Sequence, residues 1–257
     1  MGLTFDDGAA RGVEAIYRTP DVAAQRSQTL VALGLAPGER VLDIGVGPGF
    51  LADDMARIVG ADGHVAGIDT SEPMLAMARA RCGEGVDLRT ADATALPFDA
   101  GAFDAVVSTQ VLEYVPDLDG ALAEIARVLR VGGRAVILDT DWDTAVWQTE
   151  DRARMRRVLD AWEAHLHDPC LPRTLGPRLD AAGLTVQRRD VIPLLNPHLH
   201  PNCYSHGILV AIQAFVAGRE EVGPEEAAAW GDELRALAAA GRYFFSINRY
   251  LFAATKR

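Results

Sequence analysis

Cysteine, basic charge and long apolar stretches are scarce in this 257-residue sequence. Its three cysteines, Cys82, Cys170 and Cys203, lie too far apart in sequence to indicate a metal clip or a CxxC redox pair. Their odd and low number favours a reducing compartment. No apolar run approaches the about 20 residues needed to cross a bilayer, and Met1 to Gly12 lacks the basic end and apolar stretch of a secretory signal. We therefore predict a cytoplasmic protein without a membrane span.

The charge balance is acidic, with a net charge of −11 at pH 7. An acidic surface repels nucleic-acid phosphates and anionic lipid headgroups. The densest basic cluster lies at 152–157, where the arginines are spaced around a helix, so we expect a solvated helix face there. The sequence thus predicts a small-molecule substrate and no nucleic-acid partner, and it is compatible with a homodimer.

Short apolar strands alternate with helices up to residue 138. The predicted strands lie at 40–44, 64–69, 86–89, 102–108 and 134–138, and the predicted helices at 13–34, 51–59, 73–81 and 118–129. This alternation predicts an α/β fold with a doubly wound, mostly parallel sheet and helices on both faces. Ligands of such sheets bind at the carboxyl ends of the strands.

The pattern changes after residue 140. Further helices are predicted at 147–167 and 175–182, and further strands at 184–191 and 243–255. These strands complete a seven-stranded sheet within a single domain over 1–257. Residues 192–241, with helical stretches at 204–217 and 224–240, are predicted to form a helical lid inserted before the last strand. The alternative is a packing hairpin without substrate contact.

A glycine loop follows the first strand, with the sequence Asp43-Ile44-Gly45-Val46-Gly47-Pro48-Gly49-Phe50. Glycines let the backbone pass close to a ligand. The nicotinamide fingerprint needs glycine at the sixth position, which Phe50 occupies here, so a dehydrogenase is disfavoured. Asp43 lies two residues before the first glycine, and Asp69 ends the second strand. A carboxylate at the position of Asp69 can accept hydrogen bonds from both ribose hydroxyls.

Several further motifs accompany the loop. They are Gly67-Ile68-Asp69, Ala91-Asp92-Ala93, Leu96-Pro97-Phe98, Phe103-Asp104-Ala105-Val106-Val107 and Leu129-Arg130-Val131-Gly132-Gly133-Arg134. Together with the loop they resemble class I S-adenosylmethionine methyltransferases over roughly residues 13–140 and in the final strand. Within this superfamily the sequence is most similar to the small-molecule branch typified by ubiquinone/menaquinone biosynthesis methyltransferases. Members of that branch often carry Leu-Pro-Phe followed by Phe-Asp. A Rossmann-like methyltransferase fold is thereby implied.

The resemblance implies a set of cofactor-binding residues for S-adenosyl-L-methionine. They are Tyr17, Asp43, Gly45, Gly47, Asp69, Thr70, Met74, Asp92, Ala93 and Gln110. In the family, the glycine backbone contacts the methionyl part, Asp43 orients its amino group and Asp69 holds the ribose. Asp92 accepts from the adenine amine and the Ala93 N–H meets a ring nitrogen. Met74 lines the adenine pocket, Gln110 lies beside the methionyl group, and Tyr17 folds over the cofactor.

The catalytic residues are harder to predict, because the cofactor supplies the activated methyl and the protein supplies alignment. A base is needed only if the acceptor must lose a proton. The candidates are His198, His200 and His206 in the predicted lid and Asp141 in the acidic run 139–144, which leaves the fifth strand. Glu113 and Tyr114 stand where the family usually has a histidine region. His198-Leu199-His200 resembles half of a metal site, but no further ligand completes it, so no metal is predicted.

The sequence favours methyl transfer to a small organic acceptor at an O, N or C centre. The apolar, Trp-containing helices around the predicted lid favour an apolar or aromatic acceptor. One alternative is a protein of the same fold that binds S-adenosylmethionine without methylating. A weaker one is arsenite methylation, which needs converging thiolates and could use Cys170 and Cys203.

Overall fold

The computed structural model describes residues 7–257, so the first half of the segment Met1–Gly12, in which no secretory signal is predicted, lies outside the described residues. The strands form one seven-stranded sheet in the order β3-β2-β1-β4-β5-β7-β6. Their bounds are β1 Arg40–Ile44, β2 His64–Asp69, β3 Asp87–Thr90, β4 Phe103–Thr109, β5 Leu129–Trp147, β6 Leu184–Asn196 and β7 Phe245–Lys256. β1 to β5 pair in parallel, whereas β7 is antiparallel to both of its neighbours. The predicted mostly parallel sheet is confirmed.

Helices cover both faces of this sheet. They are α1 Asp7–Tyr17, α2 Pro20–Leu33, α3 Phe50–Val59, α4 Glu72–Cys82, α5 Leu118–Val128, α6 Arg152–Glu163, α7 Pro172–Ala181, α8 Tyr204–Val216 and α9 Pro224–Ala239. One apolar core lies between the sheet and α5 and α7, and a second lies under α2, α3 and α4. β1 is buried at four of its five positions, as expected for a strand covered on both faces. Among residues 7–257, no helix has the length and apolar character needed to cross a bilayer.

The predicted single helix over 13–34 is wrong, because the chain forms α1 and α2 with a break at Thr19. Thr19 is extended, with φ −63° and ψ 147°, and Pro20 begins α2. Proline disfavours the helical conformation of the residue before it, yet fits the first turn of a helix. The break lets α1 turn away from α2 and pack on α8, where Ile16 lies against Gly207.

The fifth strand is much longer than the predicted 134–138. β5 continues to Trp147 because β7 pairs with it from Arg134 to Trp147, with an irregular register between Asp141 and Val146. The acidic run 139–144, expected to be a loop that leaves the strand, therefore lies inside β5. Residues 192–196 likewise belong to β6, so the inserted helices α8 and α9 follow a longer strand than predicted. With α6 they enclose a third, aromatic-rich core that contains the fully buried Trp230.

Candidate active site

The glycine loop crosses the carboxyl ends of β1 and β2 and is held there by main-chain hydrogen bonds. The N–H groups of Gly45 and Val46 both donate to the Ile68 carbonyl at 2.8 Å. Gly47 N–H donates to Asp69 Oδ2 at 2.9 Å, and Ser71 N–H donates to Asp69 Oδ1 at 2.8 Å. The Asp69 carboxylate is thus oriented by backbone on both sides, and each oxygen keeps a further lone pair.

Two glycines of the loop have geometry that a side chain would disturb. Gly45 has φ +72°, and a Cβ there would lie 2.2 Å from Val111 Cγ2. Gly49 has φ +81°, and its Cβ would lie 2.9 Å from Ala78 Cα. Positive φ favours glycine, and both contacts are closer than packed atoms allow. Gly49 therefore allows the loop to pack closely against α4.

Asp43 is a buried carboxyl without a partner. Its side chain is 1% exposed, and Oδ1 has no hydrogen bond. Burial, with the charge of Asp69 as a second cause, raises the pKa of Asp43 to about 7. A buried carboxylate normally has a cationic or hydrogen-bonding partner. The side chain therefore suits an ammonium group brought by a ligand.

The residues predicted to surround adenine lie on the loops after β2 and β3. Met74 begins α4 and is 3% exposed, and its N–H donates to Ser71 Oγ at 3.4 Å. Thr70 is exposed beside Asp69. Asp92 accepts from the Thr94 hydroxyl at 2.6 Å and from the Thr94 N–H at 2.8 Å, both on Oδ1, which lowers its pKa. Ala93 packs into the core against α5.

Gln110 is held in an unusual backbone conformation at the end of β4. It has φ +58°, and its N–H donates to the Leu138 carbonyl at 2.8 Å. Its Oε1 accepts from the buried Thr140 hydroxyl at 2.5 Å. Non-glycine residues with positive φ are uncommon and cluster at functional sites. The side chain is thereby fixed against β5, next to the glycine loop.

The end of α1 covers the glycine loop. Tyr17 lines a cleft together with Val22, Gln25, Arg26, Asp43, Gly45, Val46, Gly47, Pro48, Phe50, Leu51 and Thr109. Burial raises the pKa of Tyr17 to about 12. Arg81 holds α1 beside the glycine loop. Its guanidinium donates to Glu14 of α1 at 2.6 Å, and its guanidinium carbon lies 3.5 Å from the centroid of the Phe50 ring. Tyr17 thus lies beside the glycine loop, and its contact with the cofactor stays a prediction.

The catalytic candidates from the sequence are poorly placed. His198 and His200 are exposed, and His206 is half-buried at the start of α8. Asp141 is buried, but Arg173 donates to both of its oxygens, at 2.7 and 2.9 Å. Asp141, Asp143 and Cys170 form the one group of possible metal ligands within residues 7–257, and Arg173 forms an ion pair with each of the two carboxylates.

A buried charged group beside the cleft was missed by the sequence reasoning. Glu113 lies in a short 3₁₀ turn, Leu112–Tyr114, and is 1% exposed, while Asp139 and Arg249 are 0% and 3% exposed. Burial raises the pKa of Glu113 to about 7 and that of Asp139 well above its usual range. The one sequence feature that could have indicated this group is Glu113, which stands where the family usually has a histidine region. No sequence feature indicated Arg249, because it lies far along the chain.

Comparisons with known proteins agree with this architecture. Residues 42–137 match the family model described as a methyltransferase domain. An uncharacterized 37.1 kDa protein in transposon TN4556 of Streptomyces fradiae is 40% identical over 154 residues, which cover 58% of this chain and 45% of the relative. Demethylmenaquinone methyltransferase of Lactococcus lactis is 37% identical over 123 residues, covering 46% of this chain and 49% of the relative. The chain thus spans about half the length of these curated relatives.

The fold is shared with a solved cofactor complex. The structure of phosphoethanolamine N-methyltransferase 2 from Haemonchus contortus with S-adenosyl-L-methionine gives a TM-score of 0.63 at 22% identity, covering 98% of this chain and 57% of that one. The family match covers the glycine loop, Asp69, Asp92 and Gln110. The match over residues 42–137 and this shared fold confirm the predicted resemblance to class I S-adenosylmethionine methyltransferases, together with the Rossmann-like fold and the cofactor that the sequence predicted.

Proposed function

We propose that this chain transfers a methyl group from S-adenosylmethionine to a small organic acceptor. The observation that carries the proposal is the pair of carboxyls at the glycine loop. Asp69 is held by two backbone N–H groups, and the buried Asp43 has an unpartnered oxygen. One suits the ribose diol of this cofactor, and the other suits its methionyl ammonium.

The remaining predicted residues keep their roles as part of the proposal. Asp92, Ala93, Met74 and Thr70 would surround the adenosine part. Gln110 would lie beside the methionyl part, and Tyr17 would cover it, with Gly45 and Gly47 allowing close approach of the backbone. When bound, the cofactor supplies an electrophilic methyl on a sulfonium sulfur, so the chain has to orient two molecules and exclude water.

The acceptor class is supported by the interior beside the cleft. The likeness to demethylmenaquinone methyltransferase favours an apolar organic acceptor, and the core around α6 and α8 is rich in aromatic side chains. Arsenite is disfavoured, because the three thiols contact different elements. Cys82 lies at the Gly49 carbonyl, Cys170 at Asp143 and Cys203 at Ser205.

A cytoplasmic location and a homodimer stay predictions, as does a lid role for α8 and α9.

Cofactor binding is tested by calorimetry with S-adenosylhomocysteine. Asp69→Ala should weaken binding by about 100-fold, since it removes two charge-assisted hydrogen bonds, each contributing roughly 1.5 kcal/mol or more. The matched control is Asp87→Ala on the neighbouring strand, which pairs with Arg89 at the surface and should bind normally. Equal affinity of Asp69→Ala and wild type, with unchanged circular dichroism, would rule out the ribose assignment.

Methyl transfer is tested separately from binding. The protein is incubated with methyl-tritiated S-adenosylmethionine and a small-molecule cell extract, and S-adenosylhomocysteine is quantified. Formation of S-adenosylhomocysteine together with a labelled organic compound supports transfer. Recovery of unchanged cofactor from a protein that binds it tightly would favour the non-methylating alternative.

A further inference from the structure

Unpartnered polar atoms are concentrated around the Leu112–Tyr114 turn. Glu113 Oε2, Asp139 Oδ2, Arg249 Nε and Trp142 Nε1 have no hydrogen-bond partner. All four side chains are at least nine-tenths buried, with at most 4% exposed. Buried polar groups are almost always hydrogen-bonded in native proteins, and each exception calls for an explanation. Donors and acceptors left free side by side indicate a place for a polar ligand.

The members of this cluster are held in place by groups outside it. Val111 N–H donates to Asp139 Oδ1 at 3.1 Å. Arg249 donates to the Gln25 side chain, and its guanidinium carbon lies 4.8 Å from the centroid of the Tyr204 ring. The guanidinium is therefore anchored from α2 and α8. The free atoms of the cluster belong to side chains that are already fixed.

The charge of the cluster limits how many of its carboxyls are ionised. Two carboxyls face one guanidinium in a buried environment, where an uncompensated charge is unfavourable. Burial raises the pKa of Glu113 to about 7, and burial together with the charge of Glu113 raises the pKa of Asp139 well above its usual range. Arg249 can balance the charge of one carboxylate, so the two carboxyls are not both ionised near neutral pH. The other titratable groups acting on Glu113 and Asp139 or their neighbours are Asp168, Tyr17, Tyr114 and Tyr204.

The cluster lies between the cofactor cleft and the buried aromatic core that contains Trp142 and Trp162. On one side, Val111 packs against Gly45 of the glycine loop, and the Tyr17 phenol, which lines the cleft, lies within electrostatic range of both Asp69 and Glu113. On the other side, the rings of Trp142 and Trp162 lie 5.6 Å apart in an edge-to-face arrangement. A group bound at Glu113 is thus adjacent to both the cleft and flat aromatic side chains.

We propose that Glu113 accepts the proton of a hydroxyl group on an aromatic acceptor, and that Asp139 and Arg249 are positioning residues for it. The inference rests on the proposed methyl transfer. In this step the acceptor O–H bond breaks, its electron pair stays on the oxygen, and the proton moves to Glu113 Oε2. The proton returns to water when the product leaves. The free Arg249 Nε–H is placed to hold an oxygen atom of the same ligand, while the Trp142 N–H faces the Glu113 carboxyl.

The test is a binding measurement on protein saturated with S-adenosylhomocysteine, with 1-naphthol as the probe and 1-methoxynaphthalene as its matched partner without a hydroxyl. Glu113→Gln should weaken 1-naphthol binding by about tenfold or more at pH 8, the loss expected for a hydrogen bond to a charged group. It should leave 1-methoxynaphthalene binding unchanged. In wild type, 1-naphthol binding should strengthen as the pH rises through 7, and this rise should be absent in Glu113→Gln.

The control is Glu163→Gln, since Glu163 is a half-buried glutamate on α6 whose pKa burial also raises. It should bind both probes like wild type. Arg249→Gln should move the rise in 1-naphthol affinity to higher pH, because the guanidinium lowers the pKa of Glu113. This second variant keeps the test valid if Glu113→Gln does not fold.

Two outcomes would overturn the inference. One is equal 1-naphthol affinity in wild type and a folded Glu113→Gln, and the other is the absence of 1-naphthol binding to wild type. Failure of the proposed function has a different signature, because wild type would then form neither S-adenosylhomocysteine nor a labelled organic compound from methyl-tritiated S-adenosylmethionine, whether or not 1-naphthol binding depends on Glu113.

Discussion

Replacing Asp43 by asparagine should stabilise the ligand-free protein at alkaline pH and weaken cofactor binding. Asparagine has nearly the same shape as aspartate but carries no charge. Asp43 is 1% exposed, and one of its oxygens has no partner. The variant therefore removes an uncompensated buried charge from the free protein. It also removes the group proposed to pair with the cofactor ammonium.

The magnitude follows from the pKa of Asp43, which is about 7 in the folded chain against an ordinary value of 3.8. Because the folded state resists ionisation, the free energy of unfolding falls as the pH rises from about 4 to about 7, and the loss is complete above pH 7. Each pKa unit corresponds to about 1.4 kcal/mol, so the upper bound is about 4 kcal/mol. Relaxation and water entry reduce such penalties, so we expect roughly 2 kcal/mol at pH 8.

The assay is urea unfolding of wild type and Asp43→Asn at pH 4 and pH 8, with calorimetry of S-adenosylhomocysteine at pH 8. The stability gain should appear at pH 8 and vanish at pH 4, where the wild-type carboxyl is protonated. Affinity should fall by about tenfold or more, since a charge-assisted hydrogen bond is lost. Asp87→Asn is the control, because Arg89 lowers the pKa of this partly exposed carboxyl. If Asp43→Asn were no more stable than wild type at pH 8, the carboxyl would have a favourable partner and the reasoning would be refuted.

Three further predictions concern cofactor binding, the packing of α1 on α8, and the aromatic core. In wild type, S-adenosylhomocysteine affinity measured by calorimetry should decrease as the pH falls below 7, because Asp43 becomes protonated; a flat profile between pH 5 and 8 would argue against an ammonium there. Gly207→Leu should weaken cofactor binding while the sheet stays folded by circular dichroism, because a Cβ at Gly207 would lie 2.4 Å from Ile16 and push α1 off α8; unchanged affinity would show that α1 does not cover the site. Trp230→Ala should lower the free energy of unfolding by about 3–5 kcal/mol in urea titrations, since this fully buried ring leaves a large cavity; a loss below about 1 kcal/mol would mean that the aromatic core collapses around the change.

Local sequence patterns determined the glycine loop, Asp43, Asp69 and the alternation of the first five strands. Each of these features depends on residues close together in the chain. A strand that ends in a carboxylate and turns through glycines positions its own side chains, so the pattern and the geometry coincide. The fold class and the arrangement of the glycine loop with its two carboxyls were predictable from sequence for this reason.

Tertiary structure decided the length of β5, the break before Pro20 and the buried group around Glu113. β5 extends to Trp147 because β7, from the far end of the chain, provides its main-chain partners. The same pairing sets Arg249 opposite Thr140 and thus brings a guanidinium to the carboxyls of Glu113 and Asp139. Long-range strand pairing, burial and the resulting electrostatic coupling leave no periodic signal in the sequence, so the group that faces the proposed acceptor emerges only when the sheet is complete.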